Sequence, residues 1–118
     1  MTKVELNSNG TNKAIKANIL SDDKMRKIGF TETNNGKWRY YREVAEDISF
    51  NVAIPKDGSD ISIDTLDEAF LQPYDYQHIL SVMPLFPFAS SVKKNVEKQM
   101  QYLTNKGVIE GWKPGMYI

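Results

Sequence analysis

How the chain folds turns on Phe30-Thr31-Glu32-Thr33-Asn34-Asn35-Gly36-Lys37-Trp38-Arg39-Tyr40-Tyr41-Arg42-Glu43-Val44. Asn35-Gly36 is a strong hairpin dipeptide, because the tight turns that join antiparallel strands need backbone conformations these residues adopt at little cost. A strand over Phe30–Thr33 therefore leads into a return strand over Lys37–Val44. Successive strand residues point to opposite sides. Trp38, Tyr40, Arg42 and Val44 share one face; Arg39, Tyr41 and Glu43 take the other.

Downstream, Ala45-Glu46-Asp47 turns the chain. Ile48–Ile54 then alternates, with Ile48, Phe50, Val52 and Ile54 inward and Ser49, Asn51 and Ala53 outward. Turn residues fill 55–60, and Ile61–Leu66 resumes the period of two. The expectation is an antiparallel meander of three to four strands with one packed face and one wet face. Pro73 suits the first turn of a helix, which extends over Tyr74–Met83. Pro84 and Pro87 keep Leu85-Phe86-Pro87-Phe88 out of a regular helix. Ala89–Lys106 is the longest helix, with Val92, Val96, Met100 and Leu103 as its apolar stripe. Gly107 ends it, and the apolar residues of the C-terminal tail dock on the domain.

Upstream, Ser21 caps a short helix over Asp22–Ile28 that has acids in its first turn and Gly29 as its stop. Ile15 and Ile19, four apart, suit a turn of helix. The polar residues before them read as a mobile arm, so the chain divides into an arm over 1–20 and one domain over 21–118. A half-buried meander with amphipathic helices to cover it is an α+β domain of two layers, strands first and the main helices last.

Composition narrows the chemistry. The chain has 118 residues, 41% apolar and 25% charged, which is the globular range. It has no cysteine and one histidine. That excludes disulfides, thiolate metal sites, a cysteine nucleophile and a His-rich metal site. Fifteen basic residues balance fifteen acidic ones. The balance is uneven along the chain: residues 1–42 hold nine Lys/Arg against four acids, 43–80 hold one against nine, and 81–118 hold five against two. No apolar run is long enough to cross a bilayer, and the first residues lack the apolar core of a secretory signal, so the expected location is cytoplasmic and no membrane partner is expected.

Few residues carry a chemical pattern. His78 follows Asp75 by three residues on a helix face and precedes Ser81 by three, which assembles the parts of an acid–base site without the strained elbow a serine nucleophile needs. Asp57, Asp60, Asp64, Asp67 and Glu68 lack the ligand spacing of a calcium loop. No glycine-rich phosphate cradle is present. The expectation is a protein that is not an enzyme and that holds no cofactor or metal. Arg39, Tyr41 and Arg42 form a candidate nucleic-acid contact, rings for bases and cations for phosphates. The junction from Asp64 to Gln77 concentrates acids and tyrosines, and tyrosine favours interfaces for its rigid, amphipathic area. Asp67, Glu68, Tyr74, Asp75, Tyr76 and His78 are the candidate protein-binding surface.

The phrases Lys27-Ile28-Gly29-Phe30, Asp47-Ile48-Ser49-Phe50, Ile63-Asp64-Thr65-Leu66-Asp67-Glu68 and Gln72-Pro73-Tyr74-Asp75-Tyr76-Gln77 give the chain from about Met25 onward a resemblance to small uncharacterised proteins of Gram-positive phages, prophages and mobile elements. The resemblance implies an intracellular accessory protein and carries no catalytic residue over. The leading expectation is thus a non-catalytic accessory protein acting through protein contacts. The alternative is a small nucleic-acid-binding regulator. Edge strands that can pair across a two-fold axis make a homodimer a further expectation.

Overall fold

The alternation in residues 37–67 becomes a sheet whose register matches the sequence pattern. The computed structural model describes residues 14–58 and 60–116. Strands β2 (Thr31–Glu32), β3 (Lys37–Ala45), β4 (Ile48–Pro55), β5 (Ser62–Asp67) and β6 (Gln72–Pro73) are hydrogen-bonded in that order, all antiparallel. Trp38 lies opposite Ile54, Tyr40 opposite Val52, and Val52 opposite Ile63. These side chains are buried on one face. Each such burial stabilises the fold by about 1.5–3 kcal/mol.

Helix α3 (Pro87–Asn105) covers that face with Ala89, Val92, Val96, Met100 and Leu103. Helix α1 (Asp22–Ile28) adds Met25 and Ile28. Tyr40 is the hub. Its ring lies 5.2 Å from Phe30, 6.3 Å from Phe50 and 6.4 Å from Tyr102 between centroids. Its hydroxyl donates to Gln99 Oε1 at 2.5 Å. The Tyr102 hydroxyl donates to the Ile28 carbonyl at 2.9 Å, and Asn95 Nδ2 donates to the Val44 carbonyl at 2.7 Å, so α3 is tied to α1 and to β3. The α+β two-layer expectation holds, with five strands in the main sheet.

Helix α1 has the expected bounds, with Ser21 Oγ accepting from the Lys24 amide and Gly29 closing it at φ 125°. A Cβ on Gly29 would also lie 2.5 Å from Arg42 Nη2.

Several expectations are corrected. Residues around Ile15 and Ile19 form no helical turn. Instead β1 (Lys16–Ala17) pairs antiparallel with β7 (Ile109–Glu110) in a second, two-stranded sheet. Ile15 is 3% exposed while Ile19 is exposed, so only one of the pair packs. A stretch this short has no helical neighbours to make a spacing of four meaningful. The domain therefore begins at least as early as Ile15 rather than at Ser21; the rest of the expected arm, 1–13, lies outside the described residues. Pro73 opens no helix. It sits in β6, on the sheet edge, where a missing N–H removes no ladder bond. Helix α2 (Tyr76–Val82) starts later, capped by Asp75, whose carboxylate accepts from the His78 amide. Pro87 does not exclude Phe88 from a helix; it occupies the first turn of α3, where its fixed φ fits and no N–H is needed. The tail docks as expected through Val108, Ile109 and Trp112, all buried; Tyr117 and Ile118 lie outside the described residues.

Candidate functional site

The face of the sheet away from α3 carries the outward residues of each strand. A polar chain crosses it. Arg39 Nη2 donates to Asn51 Oδ1 at 3.1 Å, Asn51 Nδ2 donates to Ser49 Oγ at 3.0 Å, and Ser49 Oγ donates to Glu68 Oε2 at 2.6 Å. Ser49, expected on a wet face, is buried. The turn after β5 brings Glu68 over it, and the Glu68 amide donates to the Asp47 carbonyl. A shallow cleft of about 490 Å³ lies on this face, its lining including Lys37, Arg39, Asn51, Asp64, Leu66 and Pro73. Asp64, directly opposite Asn51 in register, is half-buried, and its carboxylate makes no hydrogen bond or ion pair to any described residue. Burial pushes its carboxyl above the usual range.

The expected nucleic-acid contact divides between the two faces. Arg39 and Tyr41 are exposed on the outer face, the guanidinium 5.4 Å from the ring centroid. Arg42 is on the inner side, over the Tyr40 ring at 4.3 Å, and it donates to the Tyr41 carbonyl. Strand periodicity separates adjacent residues, so the three do not form one surface.

The expected protein-binding residues also divide. Tyr76 is 2% exposed and belongs to the core, a correction to its placement on a surface. Burial, together with the charges of Glu97 and Asp75, raises its hydroxyl pKa. Tyr74 is half-buried, edge-on to Phe88 at 6.0 Å. Burial raises its pKa as well, with the Asp67 charge adding to the effect. Asp67 folds the following turn by accepting from the amides of Ala69 and Phe70. Asp75 is spent on the α2 cap. His78 is exposed, and Ser81 Oγ donates to its carbonyl. The Asp75 carboxylate thus meets the backbone of His78, not its ring. Among the described residues no group of three or more His, Asp or Glu stands together as metal ligands would.

What the sequence reading missed is the corner between α2 and α3. Val82, Met83, Leu85, Phe86 and Phe88 are all exposed, Leu85 at 89%. The turn between β5 and β6 projects two more apolar side chains, Phe70 at 75% and Leu71 at 79%. Leu71 has φ 52°, a left-handed conformation that costs a leucine about 1–2 kcal/mol. The signal for the corner was present. No Asp, Glu, Lys or Arg occurs between Asp75 and Lys93, and prolines at 84 and 87 interrupt the apolar run between α2 and α3.

No family model matches the chain, and no curated protein is similar to it. Among solved structures, the chain is similar to a DUF1831 family protein from Lactobacillus plantarum, with a TM-score of 0.64 at 7% identity over 80% of this chain and 82% of that chain. The likeness is one of fold. No helix among the described residues is long and apolar enough to cross a membrane.

Proposed function

We propose that this is a non-catalytic accessory protein that works by docking an apolar partner surface on the α2–α3 corner, the role implied by the resemblance to small phage and mobile-element proteins. The observation that carries the reading is the corner itself: five exposed apolar side chains within Val82–Phe88, in a stretch free of charged residues. Soluble monomers seldom expose contiguous apolar patches without a use for them. The partner fitted to it presents an uncharged apolar patch, because a charged side chain buried against this surface would find no counter-ion. Asp67 and Asp75 hold the β5–β6 turn and the α2 cap through backbone amides, so these carboxylates serve the fold rather than the contact.

The test is affinity capture from host lysate with the natural chain and with Leu85→Asp/Phe86→Asp, followed by binding measurements on the purified partner. The reading expects a discrete partner that the natural chain binds and the folded double variant does not. Equal binding by both chains overturns it. Light scattering on the free protein gives the other occupant: a dimer that the same substitutions dissociate assigns the corner to a second copy of the chain.

A further inference from the structure

We propose that the outer-face cleft is a binding site for a small zwitterion, an α-amino acid with an aliphatic side chain, its ammonium group on the Asp64 carboxylate and its carboxylate on Arg39. The proposal is independent of the corner, which lies on other elements.

The argument starts from what each polar group on this face already does. Asn51 has both ends of its amide engaged, Oδ1 with Arg39 and Nδ2 with Ser49, and Ser49 is engaged with Glu68. Asp64 sits one strand over from Asn51, about 5 Å away by strand spacing, and takes no part. It is half-buried, so its charge is costly there, and burial alone shifts its titration. A cation brought from outside recovers that cost. Arg39 is held by a neutral amide and forms no ion pair with Asp64. The cleft therefore holds an acceptor and a donor of opposite charge, on β5 and β3, that are not bonded to each other. A ligand that carries an ammonium and a carboxylate on one carbon offers a partner to each.

Lys37 adds a second cation to the lining, so the cleft favours a ligand that carries a carboxylate and only one ammonium. A phosphate backbone, with anions only, would set its charge against Asp64. Beside the polar Thr33 and Asn35, part of the wall is apolar, from Ala53, Leu66 and Pro73, and suits an aliphatic side chain. The volume of about 490 Å³ is in the range of small-molecule sites.

The test is an amide NMR titration of the full chain with L-leucine and with its two half-ligands, 4-methylpentanoate, which lacks the ammonium, and 3-methylbutylamine, which lacks the carboxylate. Saturable shifts are expected at Arg39, Asn51, Ala53, Asp64 and Leu66. Each half-ligand is expected to bind about tenfold more weakly or worse, the loss of one charge-assisted hydrogen bond. Asp64→Asn and Arg39→Met are expected to weaken L-leucine by a similar factor. The half-ligand comparison uses the unaltered protein, so it stands even if a variant does not fold. No saturable shift with aliphatic amino acids at millimolar concentration overturns the proposal. So does amine binding as tight as that of L-leucine, or unchanged affinity in folded Asp64→Asn.

Discussion

The two faces of the main sheet share every backbone hydrogen bond and differ in almost everything else. On the inner face, Trp38, Tyr40, Phe50, Val52, Ile54 and Ile63 are buried in the core that α3 covers. On the outer face, a chain of polar groups runs from Arg39 to Glu68 and passes Asp64 by. The lesson is a division of labour at a spacing of one residue. The even positions of β3 and β4 build the core, and the odd positions carry the polar chain and line the cleft.

The largest expected effect tests the inner half of that division. Phe50→Ala removes a fully buried ring that lies edge-on to Tyr40 and is expected to cost about 3–5 kcal/mol, read from urea denaturation. A loss below about 1 kcal/mol would show that the inner face is not where stability sits. Gly111→Ala comes next. A Cβ there would lie 2.0 Å from the Ala14 carbonyl oxygen, at φ 93°. The expected cost is about 2 kcal/mol, with loss of amide protection in β1 and β7 seen by hydrogen exchange.

Two inner or edge positions are expected to move stability upward. Thr65 lies opposite Phe50 on the inner face, and its buried hydroxyl has no hydrogen-bond partner. Thr65→Val is expected to stabilise by about 1 kcal/mol, because an unmade buried hydrogen bond is replaced by apolar packing. Leu71→Gly, relieving a left-handed leucine with an exposed side chain, is expected to stabilise by about 1 kcal/mol in thermal melts.

The smallest effect probes the outer face. Asp64→Asn is expected to change stability at neutral pH by no more than about 0.5 kcal/mol, in the stabilising direction. The sign follows from the raised carboxyl. The folded state binds that proton more tightly than the unfolded chain, so the group's contribution is fully present at low pH and is lost as pH rises through its folded pKa. The difference between natural chain and variant is therefore expected to shrink on acidification through the carboxylate range. A difference that grows instead would mean Asp64 is paired in solution.

Much of this architecture was legible from residue order. Period-two alternation over 37–54 placed the inner and outer faces correctly, and the Ser21 and Gly29 signals bounded α1. What alternation cannot give is what covers a face. Ser49 reads as wet and is buried, because the covering group, Glu68, arrives from a turn beyond the next strand. Tyr76 reads as an interface residue for the same reason: its neighbours in sequence are polar, but its neighbours in space are not. β1 was missed because its partner β7 lies at the other end of the chain, and local spacing holds no trace of a distant strand. The apolar corner was misread as a connector because two prolines suggested only an interruption, whereas Pro87 begins a helix.

The β1–β7 pairing has a consequence for the chain in the making. Lys16 meets Glu110, and the Asn18 amide donates to the Val108 carbonyl. β1 leaves the ribosome long before β7, and closing so long a loop is an entropic cost met only once β7 has been made. On the ribosome the meander can assemble as it emerges, but this clasp forms only once β7 is out, so a nascent chain halted after β6 lacks both the clasp and the α3 cover.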